Sequence, residues 1–219
     1  MKKISIIIPT YEMHGVGVKY VKELLESIKL QTYTDFEVII IDHSINSEIK
    51  EISQKWPFDV KHFFNEIGRG NSSVNMNEGI KKASGDIIKI MHMDDFLCNN
   101  NAFKLINESI SEKYKWGVVG FNHLWEPSTI PIGETFGVDG CPSTSFFIRN
   151  ILEPDFFDEN LVIINDKDIH TRLKIKYGEM SIVNEVCVTI RMHKYNFMKE
   201  KTKNDIENEY AFFNKKGLP

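Results

Sequence analysis

Apolar residues fall in short, nearly unbroken runs separated by longer stretches of helical period. Ile4–Ile8, Phe36–Ile41 and Ile87–Met91 are continuous and rich in β-branched residues, the pattern of strands buried on both faces. Between the first two, Val18, Val21, Leu24, Leu25 and Ile28 recur as one face of a helix. Ile45–Trp56 follows as a helix with Ile49, Ile52 and Trp56 on one side, and Val60–Phe64 as a shorter strand. Asn71–Ala83 is helical and stops at Ser84-Gly85-Asp86. The first 95 residues therefore spell β-α-β-α-β-α-β, which predicts a parallel sheet wrapped by helices.

The second half alternates less regularly. Ala102–Tyr114 is expected to be a helix and Gly117–Phe121 a strand. Residues 126–142, rich in proline and glycine, are expected to form a long loop of the kind that often serves as a lid. Ser143–Ile148 and Ile182–Ile190 suit strands; Asp166–Tyr177 and Asp205–Phe213 suit helices. The charge run Lys199–Lys203 fits a solvated face.

Right-handed crossovers place the polar tails of successive strands on one carboxyl edge, where open α/β sheets bind ligands. The tails are Thr10-Tyr11, Asp42-His43-Ser44 and His92 with Asp94-Asp95. Adjacent carboxylates repel unless a cation lies between them, and hard divalent ions take one or two carboxylates plus substrate phosphates. A metal-diphosphate site follows as the functional reading; two solvated acids before a helix starting near Asn99 is the plain one.

Composition narrows the class. The 219 residues are 42% hydrophobic and 26% charged with net charge −4, so no nucleic-acid affinity is implied. Three widely spaced cysteines, Cys98, Cys141 and Cys187, make neither a disulfide framework nor a zinc knuckle, and point to reduced thiols in a cytoplasmic compartment. No apolar run is long enough to span a bilayer; peripheral contact with a membrane or a partner enzyme stays open. Gly15-x-Gly17 and Gly68-x-Gly70 both lack the third glycine of a dinucleotide fingerprint, and no GxxxxGK[ST] loop occurs. A nucleotidyltransferase would carry a glycine-rich basic loop where this chain has Pro9-Thr10-Tyr11-Glu12.

ISIIIPTY at residues 4–11, QTYTDF at 31–36, VIIID at 38–42, Asn75 to Asp86 with Asn77, Gly79, Ile80 and Gly85, and Met93-Asp94-Asp95 together resemble family 2 glycosyltransferases of the GT-A fold. The resemblance implies one GT-A domain with a mostly parallel central sheet flanked by helices. Residues 1–97 would be its nucleotide-sugar half, 98–199 its acceptor and catalytic half, and 200–219 a C-terminal helix. It implies inverting transfer from a UDP-sugar to a glycan or lipid-linked acceptor with Mn²⁺ or Mg²⁺, in polysaccharide biosynthesis on the cytoplasmic side. Pro9, Thr10, Tyr11, Glu12, Asp42, Arg69, His92, Met93 and Asp94 would contact the nucleotide. Asp94 and His193 would hold the metal, with Asp95 in support. Asp166, in Asn165-Asp166-Lys167-Asp168, would be the general base; its plain alternative is a helix cap. Two positions depart from the family: His92 stands where an acid is usual, and Asn165 where a glutamate is. These departures keep open a second reading, a non-catalytic nucleotide- or sugar-binding module. His14, His43, His62, His123 and His170 are expected to be structural, and Cys141 to pack a loop.

Overall fold

The computed structural model describes residues 1–137, 140–152, 156–196 and 201–218. In chain order its elements are β1 (Ile4–Thr10), α1 (Gly17–Lys29), β2 (Phe36–Asp42), α2 (Glu48–Ser53), β3 (Val60–Phe64), α3 (Ser72–Lys82), β4 (Ile87–Ile90), β5 (Phe96–Leu97) and α4 (Ala102–Ser109). There follow β6 (Trp116–Trp125), β7 (Ile132–Thr135), β8 (Ser145–Ile148), α5 (Arg149–Leu152), α6 (Asn165–Tyr177), β9 (Ser181–Met192) and α7 (Lys203–Lys215). No helix among the described residues is long and apolar enough to cross a membrane.

One nine-stranded sheet organises the chain in the order β3-β2-β1-β4-β8-β6-β9-β5, with β7 on β6. The four predicted N-terminal strands pair in parallel, with Thr10 opposite Asp42. Beyond β4 the sheet is mixed: β8 runs antiparallel to β4 and β6, β5 to β9, and β7 to β6. The parallel half is thus the part whose strands alternate with helices in sequence.

The apolar strands are buried because helices cover both faces. Ile4, Ile6, Ile8, Val38 and Ile40 pack with Leu24, Leu25 and Ile28 of α1; Ile7, Ile39 and Ile41 pack with Met76 and Ile80 of α3. Gly79 lets α3 lie on β1, since a Cβ there would meet Ile7 Cγ2 at 2.2 Å. At the sheet's amino edge the fully buried Glu37 accepts from Ser5, Ser84, Lys3 and Lys61. Burial opposes its ionisation, but these donors win and hold the carboxyl far below its usual range.

Several sequence expectations shift. The helix foreseen over 45–56 begins at Glu48, because Asn46 folds its side chain onto Glu48 and leaves Ile45 exposed. The helix foreseen to Tyr114 stops at Ser109; Ile110 turns extended into the core, and Ser111 closes a turn with Tyr114. The long loop contains the short strand β7, an exposed edge that sequence alone left as coil. Of the charge run, Lys199 and Glu200 lie outside the described residues.

Candidate functional site

The site forms where β1, β2 and β4 end. After β1 the chain turns through Met13, His14 and Gly15, all at positive φ (42°, 52°, 86°). Gly17 must be glycine, because a Cβ there would lie 2.5 Å from the Tyr11 carbonyl oxygen. The Gly15-x-Gly17 pair is therefore a tight turn into α1. It brings the Tyr11 amide to 3.4 Å from Met93 Sδ, joining the ends of β1 and β4.

Asp42 is fully buried. Its Oδ1 accepts from the Thr10 hydroxyl at 3.1 Å and the Ser44 amide at 2.9 Å; its Oδ2 lies 2.9 Å from His62 Nε2. Burial would raise its pKa, yet the His62 and Ser44 bonds outweigh it and keep it low. Arg69 reaches back over this turn, pairing with Glu12 and donating to the His43 carbonyl. Pro9, Thr10, Glu12, Asp42 and Arg69 are thereby brought together. His62, taken as structural, is the Asp42 partner that sequence reasoning missed.

Past β4 the second cluster assembles. Asp94 Oδ2 lies 2.9 Å from His193 Nε2 and 3.5 Å from Asn196 Nδ2. Asp95 is buried: its Oδ1 accepts from the Arg191 amide at 3.0 Å, and its Oδ2 from the Cys141 thiol at 3.6 Å. Burial, then the neighbouring Asp94, push Asp95 up to about 7. Arg191 also donates to the Asp94 carbonyl at 2.9 Å while its guanidinium pairs with Glu23 and Glu126. His92 is held by its amide on Ser143 Oγ at 2.8 Å, and its Nε2 is buried without a hydrogen-bond partner.

Asp166, expected at the start of a helix, lies in the first turn of α6 with Oδ1 accepting from the Lys167 amide at 2.8 Å. Burial raises its pKa to about 6. Its charge is the smallest of the influences that raise the Cys141 thiol, after burial and Asp95. Asn165 turns inward to Ser73 Oγ at 2.9 Å, and Asp168 is tied to Arg172 and Lys216. Neither of these two faces the cluster.

Sequence reasoning also passed over Lys89. Its ammonium is fully buried and donates to the carbonyls of Ser143 and Ser145. Burial lowers its pKa to about 7. A lysine inside the apolar run Ile87–Met91 was the visible signal. An open cleft of about 530 Å³ behind Arg191 is lined by Lys19, Lys22, Glu23, Glu26 and Phe96, and touches none of the residues expected to bind the donor.

Solved structures place the architecture. Staphylococcus aureus TarS residues 1–349 in complex with UDP-GlcNAc match with TM-score 0.74 at 19% identity, over 91% of this chain and 61% of that one. The mannosyltransferase PcManGT from Pyrobaculum calidifontis, in complex with GDP-Man and Mn²⁺, matches with TM-score 0.67 at 16% identity, over 90% and 59%. The fold is the GT-A fold of glycosyltransferases, a mixed sheet flanked by helices.

Residues 5–123 match the model of Glycosyl transferase family 2, and the chain belongs to that family. The GalNAc(5)-diNAcBac-PP-undecaprenol beta-1,3-glucosyltransferase of Campylobacter jejuni is 28% identical over 117 residues, 52% of this chain and 36% of that protein. The uncharacterized glycosyltransferase YwdF of Bacillus subtilis is 34% identical over 108 residues, 48% and 38%. The matched segment thus spans well under half of each of these relatives.

Proposed function

We propose that the chain carries the catalytic domain of an inverting, metal-assisted glycosyltransferase that moves a sugar from a UDP-sugar to a glycan or lipid-linked acceptor. The observation that carries this reading is the meeting of Asp94 with His193, beside Asp95 and Cys141, at the carboxyl end of β4. TarS was solved with UDP-GlcNAc and PcManGT with GDP-Man and Mn²⁺, which supports a nucleotide-sugar donor. The undecaprenol-linked name of the Campylobacter relative supports a lipid-linked acceptor. Residues 1–97 then serve the donor and 98–199 the acceptor.

Each residue has a task. Thr10 and Tyr11 flank the base, and the Tyr11 ring stacks on it. Asp42, held ionised by Thr10, Ser44 and His62, accepts from the imide N–H of uracil. Glu12 serves the ribose and Arg69, paired with it, the base or the diphosphate, since a guanidinium suits phosphate. His92 and Met93 line the floor. Asp94 and His193, one carboxylate and one imidazole, are a donor set that fits Mn²⁺ better than Mg²⁺. When bound, the cation offsets charge on the leaving diphosphate. Asp166 accepts the proton of the acceptor hydroxyl, which attacks opposite the leaving group and inverts the anomeric centre.

The inward turn of Asn165 and the presence of His92 favour one rival, a binding module without turnover. A panel of UDP- and GDP-sugars incubated with the protein and Mn²⁺ separates the two. Metal-dependent hydrolysis of a UDP-sugar is expected. Tight UDP binding with hydrolysis of none would overturn transfer and favour the module.

A further inference from the structure

Three ligand atoms, one each from His92, Asp95 and Cys141, lie within 4.8 Å of one another at the end of β4. We propose that these three residues form a second cation site, for a borderline transition metal such as Zn²⁺, distinct from the Asp94–His193 pair. Ligand chemistry sets it apart. A thiolate with an imidazole selects Zn²⁺, Co²⁺ and similar ions, whereas Mg²⁺ prefers oxygen alone.

The geometry is close to that demand. Tetrahedral zinc with Zn–S of about 2.3 Å and Zn–O of about 2.0 Å separates sulfur from oxygen by about 3.5 Å. Cys141 Sγ and Asp95 Oδ2 already stand 3.6 Å apart. A second observation points to a ligand independently: His92 Nε2 is buried and has no hydrogen-bond partner. Charge balances as well, since one thiolate, one carboxylate and a neutral imidazole leave a divalent ion neutral. Lys89, the nearby cation, spends its ammonium on the Ser143 and Ser145 carbonyls.

Such an ion would latch the segment that begins at Cys141 and runs into β8 onto the carboxyl end of β4. That segment already touches the strand end through Ser143 Oγ and the His92 amide. The site needs no sugar donor, so it stands or falls apart from the proposed transfer.

Co²⁺ titration of the metal-stripped full chain tests it. The expected spectrum has a sulfur-to-cobalt charge-transfer band and intense tetrahedral d–d bands. Cys141→Ser should abolish the charge-transfer band, and His92→Gln should weaken Co²⁺ binding at least about tenfold. Asp94→Asn should leave both features in place. The free Cys98 and Cys187 make the Cys141→Ser comparison essential. Circular dichroism melts establish that each variant is folded, and His92→Gln serves if Cys141→Ser is not. Cobalt bound without charge transfer, a band that survives Cys141→Ser, or bands lost with Asp94→Asn would each overturn the second site.

Discussion

His193 Nε2 stands 2.9 Å from Asp94 Oδ2, although the two lie 99 residues apart in the chain. The contact exists because β9 pairs with both β5 and β6, which carries residue 193 back to the acid pair. The Arg191 amide on Asp95 and the Arg191 side chain on the Asp94 carbonyl fix the approach. A ligand that binds only the folded state raises its melting temperature. UDP should therefore raise the Tm more with Mn²⁺ than without, and Asp94→Asn or His193→Ala should remove the metal-dependent part. An equal UDP shift with and without Mn²⁺ in the wild type would remove Asp94 as a ligand.

Asp166→Asn should abolish transfer while leaving UDP affinity unchanged, with a rate loss of about 10²–10⁴. The pH profile follows from the sign of its shift. The base works ionised, and burial raises its pKa to about 6, so the wild-type rate should climb as pH rises through that value and then level off. Wild-type-like turnover in Asp166→Asn would eliminate it as the base.

Arg69→Ala should weaken UDP binding and leave stability nearly unchanged. Its pair with Glu12 is partly exposed, and such pairs contribute about 0–1 kcal/mol. Calorimetric titration with UDP beside a thermal melt reads both; unchanged affinity would release Arg69 from the donor site.

Glu37→Gln should cost about 1–3 kcal/mol, because it upsets the buried network around Ser5 and Ser84, while the partly exposed Lys61 and Lys3 turn to solvent. Glu37 has a lowered folded pKa, so its contribution is present above the unfolded carboxyl value and fades as pH falls below it. Denaturant melts from pH 7 down to acid should find the wild-type advantage over Glu37→Gln shrinking. A constant difference would contradict this.

The parallel half was legible because its strands are continuous apolar runs, and a right-handed crossover then leaves few topologies open. That the tails at Thr10, Asp42 and Asp94 share one carboxyl edge follows from that pattern; the pairing of Thr10 with Asp42 was added by the structure. Residues from distant segments were a different matter. His193 and Asp166 were reached only through likeness to a family, and His62, Cys141 and Lys89 were left as packing or passed over. Their partners lie 20, 46 and 54 residues away, and no local period encodes such contacts.

The sequence by itself determined the βα alternation and the carboxyl-edge acids, since period and strand-end chemistry are local properties of the chain, and its motifs carried the likeness to a glycosyltransferase family. Only the tertiary structure decided how those acids are used. Asp42 is sealed by His62, Asp95 is set against Cys141 and Arg191, and Asp94 is handed to His193. The reason is physical: in the second half β9 pairs parallel with β6 and antiparallel with β5, which brings distant segments to one edge, and burial there sets the charge each group carries.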